Sequence, residues 1–255
     1  MNPSQIELRY PIALFSAAHL SFLAVLIPLS FILAFFIAKK YGFSKTIIWV
    51  CAFLALFCEI ERIIFYMEEI PGGFRLPANH IPLNLCPFQV ILIFILALSE
   101  HPEKKRKLLS FMFPMMVGGG FIGMLLPGEA LADHGLLELS TYRYFFFHGL
   151  VMFSGFYLYL SKPFEYGIKE YGTGLLLAFF ALILGVYVNG FFGWNHEANH
   201  MFVVRPPAQG LPILNLDHGW PRYIFDMMVI GVFLITLCYL PVIIKSIKNR
   251  RKQKA

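Results

Sequence analysis

Residues 13–38 read ALFSAAHLSFLAVLIPLSFILAFFIA, an apolar stretch without a single charged side chain. Because a helix rises about 1.5 Å per residue, this stretch can cross the roughly 30 Å hydrocarbon core of a bilayer. The rest of the chain has the same character, since 58% of the 255 residues are hydrophobic and only 14% are charged. A water-soluble core cannot hide so much apolar surface, so the sequence predicts a membrane protein.

Six further apolar runs follow, separated by short segments rich in proline, glycine and lysine that stop helices or lie at the membrane surface. We therefore predict an all-α bundle of seven transmembrane helices. It forms a single domain over residues 1–255, without an internal repeat. The predicted spans lie near residues 13–38, 46–67, 81–99, 108–126, 141–160, 173–193 and 221–244.

The basic residues predict the orientation of this bundle. Every lysine falls in alternate loops or in the C-terminal tail, whereas the bases of the other loops are all arginines. Since cytoplasmic loops are rich in Lys and Arg, we expect the N-terminus outside and the C-terminus in the cytoplasm, in a cell membrane. The net charge of +6 then reflects topology and anionic inner-leaflet lipid. It requires no nucleic-acid partner.

Polar and ionisable residues recur at similar depth in the outer half of six spans. Such residues are costly in lipid and normally face a bundle interior or a wet cavity, which predicts a pocket that opens outward. The alternative is that each group reaches the membrane surface separately. The residues in this layer are His19, Glu59, Cys86, His148, Asn189 and Asp226.

Cys86 is the only one of the four cysteines near the outer surface, so it has no partner there for an intrachain disulfide. Pro87 follows it and is favoured at the first position of a helix, which predicts a short helix over 87–99 with Cys86 as its N-cap. The helix dipole then favours the thiolate, the nucleophilic form of cysteine. The alternative is that Cys86 is merely a small residue at a kink.

A nucleophilic thiol needs a base, and His148 lies at matching depth in the fifth span. On its own, His148 could equally be a core histidine bonded to a carbonyl. The outward arginines are candidates for holding a phosphate, because the guanidinium group pairs with phosphates bidentately, but pairing with outer acids such as Glu61 is an equal alternative. These arginines are Arg62, Arg143 and Arg222.

The segment His196-Glu197-Ala198-Asn199-His200 fits the zinc-hydrolase pattern H-E-x-x-H. Its third ligand is unassigned, so a membrane zinc hydrolase using His196 and His200 is an alternative function, and our main prediction includes no metal. The segment lies in a loop over residues 194–220, which is long for a structureless connection. We predict that this loop forms a lid over the outer mouth of the pocket.

Several segments resemble those of the YwaF-type integral membrane family, and the likeness covers nearly the whole chain. They are Ile81-Pro82-Leu83-Asn84-Leu85-Cys86, Tyr144 to His148, Asn199-His200-Met201-Phe202-Val203 and Trp220-Pro221-Arg222-Tyr223. The vertebrate relative of that family is an acyltransferase that forms ether phospholipids through a cysteine paired with a histidine. The resemblance implies that Cys86 accepts the acyl group and that His148 is its partner. It also makes Asn199 and His200 parts of an outer loop motif.

The sequence thus predicts a thiol-dependent acyltransferase or acyl hydrolase that acts on phospholipid at the outer leaflet through a thioester. Its partners would be a membrane lipid, a lysophospholipid or another acyl donor, and it would need no cofactor. The predicted substrate-binding residues are Asn84, Arg62, Arg143, Asn199, Arg222 and Asp226. The competing class is a seven-helix binder or transporter of a small ligand that lacks enzymatic activity. The oligomeric state is left open.

Overall fold

The computed structural model describes residues 13–127, 135, 138–192, 198–207 and 211–254. These residues form seven α-helices that pack against one another, joined by short loops and by one small hairpin. The helices are α1 (Ala17–Tyr41), α2 (Lys45–Phe65), α3 (Leu85–Leu98), α4 (Arg106–Leu125), α5 (Leu139–Leu160), α6 (Ile168–Phe191) and α7 (Trp220–Lys254).

Four of these helices are long and apolar enough to cross a membrane: α1, α4, α6 and α7. Large apolar side chains cover the outside of the bundle, among them Phe57, Tyr187 and Phe191, which are at least 70% exposed. In water such a surface would be strongly unfavourable, whereas lipid tails are a suitable solvent for it. The predicted all-α membrane fold is confirmed. The number of crossings and the orientation stay predictions.

The helix ends differ from the predicted spans by a few residues at most places, and by more at α7. The span predicted to end at residue 244 continues as one helix to Lys254. The added residues are mainly Lys, Arg and Gln, which are good helix formers in water as well as beside a membrane. Helix α7 therefore extends beyond its apolar segment instead of ending with it.

A two-stranded antiparallel hairpin connects α2 to α3, with strands β1 (Glu68–Ile70) and β2 (Gly73–Arg75). The sequence predicted only a break there, at Pro71-Gly72-Gly73. Gly72 adopts a φ of +93°, a conformation that glycine reaches without a steric penalty. We call the end of the bundle that carries this hairpin the outer end, following the predicted orientation.

Helix α4 is the central element, because it packs against α3, α5, α6 and α7. Its closest approach is to α5: a Cβ on Gly120 would lie 2.8 Å from the carbonyl oxygen of His148 and 2.9 Å from the Cβ of Met152. A Cβ on Gly155 of α5 would likewise lie 2.8 Å from the Cβ of Met116. These glycines allow α4 and α5 to pack closely, which brings α5 side chains deep into the bundle.

Candidate functional site

Cys86 lies in the first turn of α3, one turn or less from the outer end of that helix. The helix begins at Leu85 with Asn84 as N-cap, so the predicted start at Pro87 and the predicted N-cap role of Cys86 are wrong by two residues. Proline is accepted at any position of the first turn, because the amide groups there have no partner within the helix. The helix has 14 residues, about 21 Å, so the prediction of a short third helix is confirmed.

His148 lies on α5 and is almost fully buried. Its Nδ1 is 2.9 Å from the carbonyl oxygen of Tyr144, one turn earlier in the same helix. Since a carbonyl oxygen only accepts hydrogen bonds, Nδ1 must carry the proton, and in the neutral ring Nε2 carries the lone pair. The hydrogen bond of Nδ1 is the one that the His148 ring makes among the described residues, which leaves Nε2 free. This is the arrangement required of a general base.

Two glycines of α4 bring the thiol and the imidazole to the same helix face. A Cβ built on Gly119 would lie 3.5 Å from the Sγ of Cys86, and a Cβ on Gly123 would lie 2.5 Å from the Nε2 of His148. Positions four apart share one face of a helix, with Cβ atoms about 5–6 Å apart. Cys86 and His148 therefore contact adjacent turns of one α4 face, although they are far apart in the sequence.

Tyr144 and Glu59 surround this pair. The Tyr144 hydroxyl donates a hydrogen bond to the carbonyl oxygen of Gly123 at 2.6 Å, and its ring centroid lies 4.2 Å from that of His148. The Glu59 carboxylate, which is 5% exposed, is close enough to act electrostatically on the Cys86 thiol. The site thus contains a thiol, an imidazole, a phenol and a carboxylate, contributed by α2, α3 and α5.

The candidate phosphate-binding arginines are all paired with acids. Arg62 donates to both oxygens of Glu59 and, at 2.7 Å, to the carbonyl oxygen of His80. Arg143 forms an ion pair with Glu61. Their positions fit the alternative that outer arginines neutralise outer acids. Binding of a phosphate by either arginine stays a prediction.

Arg222 and Asp226 form a separate pair on α7. Arg222 Nε lies 3.0 Å from Asp226 Oδ2, and the two side chains are 60% and 13% exposed. The Arg222 guanidinium also lies over the ring of Phe225, 5.7 Å from its centroid. The pair is part of the outer surface of α7, and its predicted role in substrate binding stays a prediction.

Part of the predicted lid is described, and residues 198–207 dock onto the outer end of the bundle. The Asn84 side chain accepts a hydrogen bond from the Met201 amide at 2.7 Å. The Asn189 side chain accepts one from the His200 amide and donates one to the His200 carbonyl oxygen, both at 2.9 Å. This segment is therefore bound to the N-cap residue of the cysteine helix and to α6, and its role as a lid stays a prediction.

Helix α7 holds the same loop from its other side. The Trp220 indole donates to the carbonyl oxygen of Val203 at 2.7 Å, and the Tyr223 hydroxyl donates to that of Phe202. The Asn199 side chain accepts from the amides of Val204 and Arg205 at 3.1 Å and thus shapes the loop from within. In this structure Asn84 and Asn199 hold residues 198–207 in place, whereas their contact with a substrate stays a prediction.

Each of the other polar residues of the outer layer forms its own hydrogen bonds or ion pair, away from Cys86 and His148. The Nε2 of His19 donates to the carbonyl oxygen of Met124 at 2.8 Å, and its Nδ1 accepts from the Phe15 amide at 2.9 Å. Asn189 and Asp226 are held by the contacts given above. Only Glu59, Cys86 and His148 share one neighbourhood. A wide outward-opening pocket lined by all six residues stays a prediction.

The zinc alternative falls partly outside the described residues, since His196 and Glu197 are not among them. His200 is described and fully buried, with its ring centroid 5.5 Å from that of Phe192. Within the described ranges, no three His, Cys, Asp or Glu side chains lie close enough together to hold a metal ion. Nothing in this geometry favours a zinc centre over the lid contacts of His200.

Sequence reasoning missed three residues of this site: Tyr144, Gly123 and Gln89. Tyr144 was named only within the segment that resembles the YwaF-type family, and Gly123 and Gln89 were not singled out. Gln89 is fully buried one turn along α3 from Cys86, and both of its amide atoms lack a hydrogen bond to any described residue. A glutamine inside an apolar span was the signal that could have identified it.

Two histidines, His200 in residues 198–207 and His80 in the turn over residues 78–80, have pKa values that burial shifts. Burial, assisted by the Arg62 charge, lowers the pKa of His80 from 6.5 to about 4. Burial also lowers the pKa of His200, and Arg62 adds to this effect, although the nearby backbone of Ala78 opposes it. Both histidines are therefore neutral in the docked state. An undocked lid would take up protons near pH 6.5, at the ordinary histidine pKa.

We expect the lid to dock fully above about pH 6.5 and to loosen progressively as the pH falls toward 4. The measurement is the fluorescence of Trp220 against pH, with Trp49 and Trp194 both changed to phenylalanine. A His80→Phe, His200→Phe double variant keeps aromatic rings beside Tyr66 and Phe192 and should remove the pH dependence. A transition in that variant equal to the one in the parent would show that other groups control the lid.

Comparison with known proteins gives one match. The model of a family described as the TMEM164 family matches residues 14–239, which is most of the chain and includes every residue of the candidate site. No curated protein and no solved structure matches the chain. The chain is therefore a multi-pass membrane protein that belongs to the TMEM164 family.

Proposed function

We propose that this chain is an acyltransferase or acyl hydrolase that acts on phospholipid through Cys86 and His148. The observation that carries the proposal is the shared α4 face, where the Sγ of Cys86 and the unbonded Nε2 of His148 contact adjacent turns at Gly119 and Gly123. The resemblance to YwaF-type proteins and their vertebrate acyltransferase relative points to the same two residues. A thiol beside a base whose other nitrogen is fixed is the arrangement used for nucleophilic catalysis.

The reaction begins when Nε2 of His148 accepts the thiol proton of Cys86. The thiolate adds to the carbonyl carbon of a phospholipid ester, forming the carbon–sulfur bond while the carbonyl electron pair moves to oxygen. The carbonyl then re-forms and expels the lysophospholipid alkoxide, which takes the proton from the imidazolium. Attack on the thioester by an acceptor lysolipid hydroxyl completes a transfer, and attack by water completes a hydrolysis.

The surrounding residues suggest how a lipid would be held. Arg62 is the candidate for the headgroup phosphate, because its partner Glu59 lies within electrostatic range of the Cys86 thiol. Residues 198–207 form the lid that must move for a lipid to reach the thiol, since Asn84 binds this loop directly beside Cys86. We propose that the protein lies in a cell membrane with this end outside.

The test uses the purified full chain in liposomes that contain a phospholipid with a labelled acyl chain and an unlabelled ether lysophospholipid. The proposal predicts labelled ether phospholipid or labelled free fatty acid, and a His148→Gln variant should lower either product by roughly 100-fold or more. His148→Gln keeps a polar side chain of similar length but removes the base.

The products distinguish the competing functions. Labelled ether phospholipid identifies a transferase, and labelled fatty acid identifies a hydrolase. Product formation that survives in His148→Gln but disappears with a zinc chelator would favour the zinc hydrolase instead. If the wild-type chain yields neither product, the enzymatic proposal fails and the non-enzymatic binder or transporter is favoured.

A further inference from the structure

Gln89 is the least expected residue inside the bundle. Its side chain is fully buried between α2, α4 and α5, and neither its Nε2 nor its Oε1 has a hydrogen bond to any residue that the structure describes. An unpaired amide in an apolar environment is costly, and native proteins rarely keep one without a purpose. A polar group of a bound ligand could therefore form a hydrogen bond with the Gln89 amide.

The position of Gln89 relates it to the thiol. Cys86 and Gln89 are three residues apart on α3, so their side chains lie on one side of that helix, about one turn apart. Cys86 contacts α4 at Gly119, and Gln89 shares a cavity with Met116, which is three residues before Gly119. The amide thus lies one turn below the thiol along the same α3–α4 contact.

The cavity beside Gln89 is small and almost wholly apolar. Its volume is about 10 Å³, which fits one oxygen-sized group. Ser154 supplies its other polar atom, and the Ser154 hydroxyl already donates to the carbonyl oxygen of Leu150 at 2.8 Å. The Gln89 amide is therefore the main free donor facing this space. The other lining residues are Ala55, Val90, Ile93, Met116, Leu150 and Val151.

We propose that the Gln89 amide donates a hydrogen bond to the carbonyl oxygen of the acyl group carried on Cys86, which makes Gln89 a third catalytic residue. The inference rests on the proposed function. When the thiolate adds to the carbonyl carbon, the electron pair moves to oxygen. The resulting oxyanion accepts a hydrogen bond from the Gln89 N–H group, which is fixed in a water-poor site. When the carbonyl re-forms, the pair returns and the hydrogen bond weakens.

Gln89→Met tests this inference, because methionine has nearly the same length and shape but no donor. The variant should fold with an equal or higher melting temperature, since it removes an unpaired buried amide. Loading of Cys86 from a labelled phospholipid should slow by roughly 100- to 1,000-fold, the usual effect of losing one oxyanion donor. Alkylation of Cys86 by a small haloacetamide, which forms no oxyanion, should change by less than about twofold.

Ser154→Ala is the matched control, because it removes the other polar group of the cavity while leaving the Gln89 donor. It should load acyl groups at a rate close to that of the wild type. Gln89→Met loading at the wild-type rate, or an equal loss in Ser154→Ala, overturns the role of Gln89 but leaves the Cys86 reaction intact. A wild-type chain that never loads an acyl group overturns both proposals.

Discussion

Changing Cys86 to alanine is expected to reduce acyl transfer or hydrolysis by roughly 1,000-fold or more, because alanine has no thiol that could form the proposed thioester. The bundle should remain folded, since Cys86 packs against the hydrophobic core as a small apolar side chain, and alanine fits the same space. The measurement is the rate of labelled product formation in liposomes, together with a melting curve of the purified variant.

Cys238→Ala is the control for this prediction. Cys238 is a half-buried cysteine on α7 and does not belong to the candidate site. Its removal should leave product formation within about twofold of the wild-type rate, as expected of a structural thiol. If product formation falls in Cys238→Ala and survives in Cys86→Ala, the nucleophile is Cys238 and the assignment to Cys86 is wrong.

Gly123→Ala is expected to lower both the stability of the bundle and the rate of product formation. The added Cβ would lie 2.2 Å from Cδ2 and 2.5 Å from Nε2 of His148, so the imidazole ring must move. Overpacking of this kind costs about 1–3 kcal/mol of stability. Displacement of a reacting group by about 1 Å can also cost roughly 100-fold in rate. Both the melting temperature and the rate of product formation should therefore fall.

Gly118→Ala is a matched change on the same helix. Its Cβ would meet Leu234 at an ordinary 3.6 Å, and alanine is a better helix former than glycine. The stability of this variant should be unchanged or higher by up to about 1 kcal/mol, with activity retained. Equal effects of the two substitutions would mean that Gly123 does not position His148.

The fold class followed from composition and from the seven apolar runs, because a bilayer imposes helix length so strictly. The short third helix also followed, since Pro87 restricts where it can begin. The start at Leu85 did not, because proline fits any position of a first turn and the sequence alone does not choose among them. The hairpin over residues 68–75 was missed because each strand has three residues, too few for a periodic pattern.

The candidate site was predictable as a list of residues but not as an arrangement. Depth along a helix can be counted, so Cys86 and His148 were expected at similar levels. The facing direction of each helix depends on packing, and an error of one residue rotates a side chain by about 100°. That is why His19 and Asn189 were grouped with Cys86, although the structure binds them to Met124 and to His200.

Tyr144, Gly123 and Gln89 depend even more on packing. Glycine carries no side chain that marks a function, and the importance of Gly123 is visible only once the imidazole of His148 lies against it. The Tyr144 hydroxyl acts on α4 through a contact between residues 21 positions apart. Such contacts become known only when the helices are placed together.

The central claim is that the Cys86 thiol, activated by His148, carries an acyl group. The most direct test is mass spectrometry of the wild-type chain and of His148→Gln after incubation in phospholipid liposomes. The account predicts that the wild-type chain gains the mass of one acyl chain, located on Cys86 and released by neutral hydroxylamine, and that His148→Gln gains little. An acyl group on another residue, or equal loading of Cys86 without His148, would contradict it.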